Sequence, residues 1–136
     1  MYAAAGNPFI RIAGLTHTYA ADSASPPVTS LRDLSLSIDE AEYVALVGAN
    51  GSGKTTLARH LNGLLLPTSG DVWIGSLNTR ERAHIRAIRA AVGMVFQSPE
   101  DQIVATTVEQ DVAFGPENMG IPGEELSARV LSLIHI

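Results

Sequence analysis

A glycine-rich run at residues 48–56, GANGSGKTT, carries the clearest chemistry in the chain. Glycine adopts positive φ angles and lets the backbone approach a ligand closely, so successive N–H groups in such a run form a nest for an anion. The run fits the pattern G-x-x-x-x-G-K-[ST], in which the loop leads directly into a helix. The dipole of that helix places about half a positive charge at its start. The spacing therefore predicts a loop that binds phosphate groups.

Two side chains at the end of the run extend the prediction to a nucleoside triphosphate with its metal ion. Lys54 brings a full positive charge to the β- and γ-phosphates, and the hydroxyl of Thr55 is a ligand for Mg²⁺. The alternative is a glycine-rich turn without a ligand. The position of the run, between an apolar strand pattern and a helix pattern, favours the binding loop.

The elements that must position this loop are visible on both sides of it. Residues 43–47 form a continuous apolar run, which is typical of a fully buried parallel strand. Downstream, leucines from Leu57 to Leu65 recur at helical spacing, which predicts an amphipathic helix ending before Pro67. The expected unit is a strand, a loop and a helix in direct succession.

The rest of the chain alternates between strand and helix patterns. We expect strands at residues 9–15, 31–38 and 71–74, a second buried strand at residues 92–96, and a loop or hairpin connection at residues 21–29. Residues 79–91 read as a surface helix. Thr106 and Glu109 form a capping-box pattern for the next helix, and a last helix begins near Pro122. This order predicts an α/β plan with a β-rich flank.

Composition excludes several classes of protein. The 136 residues suggest one domain at most, and the net charge of −5 argues against a partner nucleic acid. We therefore interpret the arginines of residues 79–91 as a solvated helix face. No apolar run is long enough to span a bilayer. We expect no secretory leader, because the start has no basic region followed by a long apolar core. The absence of cysteine excludes disulfides and thiolate metal sites. Four histidines lack metal-site spacing and are expected to be surface or packing residues: His17, His60, His84 and His135.

The glycine-rich run, with Asn50 and its paired hydroxyl residues, resembles that of the ATP-binding subunits of ABC transporters. Residues 67–75 and the run at 92–97 are similar to the stretches that follow the phosphate-loop helix and lead into the family's Q-loop. Residues 98–103 and 107–118 resemble the energy-coupling-factor branch, whose transporters import vitamins or cobalt and nickel ions. The resemblance covers roughly residues 8–130.

The resemblance implies a role for each matching residue. Tyr19 would stack on adenine, although an ordinary tyrosine at a strand end is the alternative. Gln97 would reach Mg²⁺ and the attacking water, making Lys54 and Gln97 the catalytic residues and Thr55 and Gln97 the metal-binding residues; an exposed loop glutamine without a role is the alternative. Glu100, Asp101 and Gln102 would lie near the membrane subunit, or form a solvated acidic loop. The residues implied to hold ATP are Tyr19, Gly48, Asn50, Gly51, Ser52, Gly53, Lys54, Thr55 and Thr56.

The implied fold class is an α/β P-loop NTPase, the ABC ATPase core with an antiparallel β subdomain, incomplete at the C-terminus. The implied partners are a second ATP-binding subunit, identical or paralogous, and membrane-embedded transport subunits, with the chain peripheral to the cytoplasmic face of the membrane. ATP and Mg²⁺ are the implied cofactors.

Several family motifs do not occur in residues 1–136: the signature sequence, the Walker B strand with its catalytic glutamate, and the switch histidine. We therefore expect the chain to be the N-terminal part of one ATP-binding domain that hydrolyses ATP poorly or not at all by itself, with residues 43–47 lacking neighbouring strands. Residues 131–136, LSLIHI, correspond to a translated sequencing-adapter end and are expected to be non-native. The rival functions are a non-hydrolytic ATP-binding fragment, a soluble ABC protein without a membrane partner, and a small-molecule kinase.

Overall fold

A four-stranded antiparallel sheet organises the first part of the chain. The computed structural model describes residues 8–21 and 26–134. The strands are β1 (Ile10–Tyr19), β2 (Val28–Ile38), β3 (Ser69–Ile74) and β4 (Leu77–Asn78), in the spatial order β2-β1-β3-β4. The antiparallel β flank predicted from the sequence is confirmed.

β1 changes its inward-facing parity halfway along its length. Ile10 and Ile12, at even positions, face inward at the start of the strand. In the second half the buried residues are at odd positions, Leu15 and His17. The register with β2 shifts between Ile12 and Leu15, which marks a bulge at Gly14, where φ is +59°. The strand prediction of residues 9–15 ended too early because the pattern changes parity at this bulge.

The helix α1 (Lys54–Leu61) packs on this sheet through Leu57. The buried cluster contains Ile12, Leu15, Leu31, Leu57 and Val72, so the helix and three strands share one core. α1 ends earlier than the leucine spacing predicts, because Asn62 forms its C-cap and Gly63 follows at a φ of +67°. Leu64 is consequently exposed.

The two predictions of buried parallel strands are wrong for this structure. Residues 43–47 form no strand and pair with no other strand in the described part of the chain, and Val47 is 90% exposed. Residues 92–96 also form no strand, and Val95 is 86% exposed. A continuous apolar run is typical of a strand that is buried between neighbouring strands on both sides. The described residues contain no such neighbouring strands. The unpaired state of residues 43–47 is the one expected from the missing motifs.

The described residues up to Gly93 form one compact unit, and those from Met94 onward form another. The first unit also contains a 3₁₀ turn (Arg82–His84) followed by α2 (Ile85–Ala91), so the predicted helix at residues 79–91 is shorter than expected. The second unit contains a 3₁₀ turn (Pro99–Gln102), α3 (Val108–Asn118) and α4 (Gly123–Ile134).

In the second unit, α3 and α4 pack against each other and bury Ala113 and Val130. The cap of α3 is Thr107, whose hydroxyl accepts the N–H of Gln110, one residue later than the predicted capping box of Thr106 and Glu109. The start of α4 next to Pro122 agrees with the sequence prediction.

Some predictions fall partly outside the described residues. Of the expected loop at residues 21–29, residues 22–25 lie outside them, and Val28 and Thr29 belong to β2. The expected non-native tail at residues 131–136 is helical up to Ile134, and His135 and Ile136 lie outside the description. The start of the chain, residues 1–7, lies outside it as well. Within the described residues, no helix has the length and hydrophobicity needed to cross a membrane.

Gly70 and Gly75 provide a matched test of this sheet. Both have positive φ, but a Cβ on Gly70 would collide with the carbonyl oxygen of Gly14, whereas a Cβ on Gly75 would meet open space. We expect Gly70→Ala to lower the free energy of unfolding by about 3 kcal/mol or more, because the backbone at the bulge must move. Gly75→Ala should cost about 1 kcal/mol, from backbone strain alone. Denaturant unfolding measures both, and equal losses would contradict this packing.

Candidate functional site

The phosphate loop, residues 48–53, ends at a glycine whose surroundings leave no room for a side chain. Gly53 is the N-cap of α1 and has a φ of +93°. A Cβ at this position would lie 2.8 Å from Cδ2 of Leu31 and 2.9 Å from the carbonyl oxygen of Ser30. Both neighbours belong to β2, so the absent side chain lets the loop rest directly on the sheet.

Lys54 folds its side chain back over this loop. Its Nζ donates to the carbonyl oxygens of Gly48, at 2.6 Å, and Ala49, at 2.8 Å, and lies 3.5 Å from Oγ of Ser52. The ammonium group is therefore held at the mouth of the loop, with its charge among backbone groups. Phosphate oxygens would replace these uncharged acceptors with negatively charged ones, so that both partners of each hydrogen bond would be ionised.

The start of α1 is suited to an anion. Gly53 offers no side-chain cap, and the first turn contains no acidic residue. The first N–H groups of a helix have no partner inside the helix, so here they point to the loop and add the positive end of the dipole. Thr55 lies exposed on this first turn. The loop, the lysine and the exposed hydroxyl thus suit a triphosphate with Mg²⁺.

The structure brings Tyr19 to the same helix. The hydroxyl of Thr56 lies 3.1 Å from that of Tyr19 and 3.0 Å from Oγ of Ser30. Thr56 is buried, whereas the Tyr19 side chain remains 39% exposed. Tyr19 and Thr56 are 37 positions apart in the sequence, and the fold places the partly exposed aromatic side chain beside the start of α1. Its stacking on adenine remains a prediction.

Behind Tyr19 lies a buried pair of histidines that sequence reasoning did not connect. Nε2 of His60 is 3.2 Å from Nδ1 of His17, and the two residues are 0% and 8% exposed. Nδ1 of His60 also contacts the carbonyl oxygen of Thr56 at 2.7 Å. Both histidines were predicted to be surface or packing residues, and both pack. The available signal was the i, i+2 spacing of His17 and Tyr19, which places them on one face of β1.

The second unit contains Gln97, which is exposed in a bend after residues 92–96. The adjacent backbone is held by Gln102: Oε1 accepts the N–H of Phe96 and Nε2 donates to the carbonyl oxygen of Phe96, both at 3.2 Å. Gln102, expected near a membrane subunit or in a solvated loop, therefore fixes the segment that carries Gln97. Glu100 is exposed.

The arginines around residues 79–91 make contacts within the first unit. Arg80 donates to the carbonyl oxygen of Gly70 through Nε, at 3.0 Å, and Nη2, at 2.9 Å, and Nη2 of Arg89 lies 3.4 Å from the carbonyl oxygen of Gly63. These side chains therefore brace the turns around the sheet. No group of three or more His, Asp or Glu side chains in residues 8–21 and 26–134 is arranged to hold a metal ion.

A sequence profile described as ABC transporter matches residues 31–135, which include the phosphate loop and Gln97. The match covers well over half of the chain, and the chain therefore belongs to the ABC transporter ATP-binding family. The predicted family is confirmed.

The similar curated proteins are ATP-binding subunits. The chain is 52% identical over 127 residues to the energy-coupling factor transporter ATP-binding protein EcfA1 of Symbiobacterium thermophilum, covering 91% of this chain and 44% of that protein. It is 51% identical over 106 residues to the cobalt import ATP-binding protein CbiO of Syntrophus aciditrophicus, covering 78% of this chain and 38% of that protein. The chain thus spans less than half the length of these relatives.

Solved structures show the same fold. The cbiO1 protein of Clostridium perfringens, part of the cbiONQ transporter complex, aligns with a TM-score of 0.72 at 31% identity, covering 90% of this chain and 47% of that one. The ATP-binding cassette MJ0796, solved as a dimer in a post-hydrolysis state with ADP and Pi, aligns with a TM-score of 0.76 at 27% identity, covering 90% and 54%. The predicted ABC ATPase fold class is confirmed for the portion that this chain covers.

The buried histidine pair predicts a loss of stability in mild acid. Burial and the neighbouring His17 lower the pKa of His60, although the Thr56 carbonyl oxygen partly opposes this. Between the folded-state pKa and the unfolded value of about 6.5, the unfolded chain binds more protons, so stability rises with pH. We expect the full stability above pH 6.5 and a progressive loss below it.

Urea unfolding between pH 8 and pH 5 tests this expectation. His60→Gln should remove the part of the pH dependence that His60 contributes, and His84→Gln, a change at a half-buried histidine beside Glu81, should retain it. A wild-type stability that stays constant from pH 8 to pH 5 would contradict the argument.

Proposed function

We propose that this chain binds ATP with Mg²⁺ and that its full-length parent couples ATP hydrolysis to import through a membrane complex. The observation that carries the proposal is the placement of Lys54 over a glycine loop that opens an uncapped helix. The ammonium group lies over the loop and the first N–H groups of α1 follow that loop, and their combined positive charge favours a phosphate chain over a neutral ligand.

Different residues of the loop and its surroundings make different contacts with ATP. Gly48, Gly51 and Gly53 supply the close backbone approach. Asn50, Ser52 and Thr56 line the loop and the start of the helix. Tyr19 contacts the adenine ring beside Thr56.

Thr55 would be a ligand of Mg²⁺, and Gln97 is the second ligand that we propose; the ion would neutralise charge that develops on the phosphates. The role of this chain's own residues is positioning: Lys54 fixes the terminal phosphates, while Gln97 orients the attacking water. The backbone contacts of Gln102 with Phe96 support this arrangement, because they restrain the segment immediately before Gln97.

The identity of the relatives supports an importer. Relatives near 50% identity are named for energy-coupling factor transport and for cobalt import. We propose a vitamin or a metal ion as the transported substrate, a second ATP-binding subunit as one partner, and membrane-embedded subunits as the others. In that complex the protein would lie at the cytoplasmic face of the membrane.

Replacing Lys54 tests the binding step directly. Lys54 is the only lysine in the chain, so no neighbouring lysine can substitute for it. We expect Lys54→Ala to weaken ATP·Mg²⁺ binding about 10- to 100-fold in calorimetry, because charge-assisted hydrogen bonds to the phosphates are lost. Arg59→Ala, which removes an exposed cation from the last turn of the same helix, should leave the affinity unchanged.

Equal affinity of the wild type and Lys54→Ala, or no binding of ATP by the wild type, would contradict the proposal. In the full-length parent, the same substitution should stop ATP-driven uptake by the assembled complex. An ATPase that works fully without associated membrane subunits would contradict the importer assignment.

A further inference from the structure

Four residues form a closed circuit of contacts behind the phosphate loop, through their side chains and the backbone carbonyl oxygen of Thr56. Starting at the end of β1, the hydroxyl of Tyr19 contacts the hydroxyl of Thr56, and the carbonyl oxygen of Thr56 contacts His60. His60 then contacts His17, whose ring meets the Tyr19 ring edge-on, with centroids 4.6 Å apart and an interplanar angle of 81°. The circuit joins β1 to α1 through side chains that are buried except for Tyr19.

Carbonyl oxygens fix the direction of the hydrogen bonds that the two histidine rings make. The oxygen of Thr56 can only accept, so Nδ1 of His60 must carry the proton and, in the neutral ring, Nε2 must accept. His17 therefore donates from Nδ1, which lies 3.2 Å from Nε2 of His60 and 3.3 Å from the carbonyl oxygen of Leu66. Each neutral ring has a single tautomer compatible with its surroundings. The lowered pKa of His60 favours this neutral state.

The arrangement restrains Tyr19 at two points. The Thr56 hydroxyl holds the Tyr19 hydroxyl, and the T-shaped contact with the His17 ring restricts rotation of the Tyr19 ring. A register shift in the pairing with β2, between His17 and Thr18, accompanies this end of β1 and brings Ser30 to the Thr56 hydroxyl as well. The ring is thus set before any ligand arrives.

We propose that the His17–His60 pair positions Tyr19 for the nucleobase, so that adenine recognition depends on two histidines that do not touch the ligand. This inference rests on the proposed function. A ring that is already held in place does not lose rotational freedom when a base stacks on it. The entropy cost of binding is therefore smaller, and the affinity is higher. Phosphate binding by the loop does not require this pair.

Comparing ATP with inorganic tripolyphosphate separates base recognition from phosphate recognition. We expect His17→Ala to weaken ATP binding about two- to tenfold, the range of an aromatic contact, and to leave tripolyphosphate binding unchanged. Tyr19→Ala should show the same selective loss, and the double variant should lose no more than Tyr19→Ala alone, because both changes remove one contact. His84→Ala serves as the control, and circular dichroism checks the fold of each variant.

A second measurement on the wild-type chain does not depend on the stability of a variant. ¹⁵N spectra of the histidine rings should show the Nδ1–H tautomer for His17 and His60, and ATP should shift the His17 signals whereas tripolyphosphate should not. Equal losses for both ligands in His17→Ala, or a loss for Tyr19→Ala alone, would overturn the positioning role while leaving ATP binding intact. A wild type that binds tripolyphosphate but not ATP would overturn both proposals.

Discussion

The contact between Gly53 and β2 is the constraint on which the rest of the structure depends. The glycine backbone sits where a side chain would collide with Leu31 and with the Ser30 carbonyl oxygen. Because the helix begins at this point, the contact sets the height of α1 above the sheet. Leu57 then reaches the core one turn later, and the loop that precedes Gly53 is held at the edge of the sheet. A larger residue would lift the loop and the helix together.

From that contact, the antiparallel sheet acts as the platform for the site. The same strand β2 that carries Leu31 also pairs with the end of β1 at Tyr19. Thr56, three residues after Gly53, meets the side chains of both strands through Ser30 and Tyr19. One pair of strands and one turn of helix therefore hold both ends of the site, the expected phosphate-binding end and the expected base-binding end. Because two strands and one helical turn hold both ends, a short chain can hold a defined binding loop.

Local patterns predicted much of this arrangement. The glycine spacing around Lys54 identified the loop and the start of α1. Alternation identified most of β2, and the turn before residue 71 indicated most of β3, because these features depend on a few neighbouring residues. The parity change at Gly14 and the early end of α1 at Asn62 were missed, since each arises from a single backbone conformation within an otherwise regular pattern. Residues 43–47 were misjudged because their hydrophobicity reflects neighbouring strands that the described residues do not include. The His17–His60 pair was missed because it joins residues 43 positions apart.

The amide signal of Lys54 offers the most direct test of the central claim, that the start of α1 and its loop bind the phosphates of ATP. Since the chain contains one lysine, labelling with [¹⁵N]lysine produces a single backbone cross-peak, located at the first residue of the helix. The account predicts that ATP·Mg²⁺ and tripolyphosphate both shift this peak in a saturable manner, while adenosine does not. A peak that remains in place at saturating ATP would show that the loop is not the binding site.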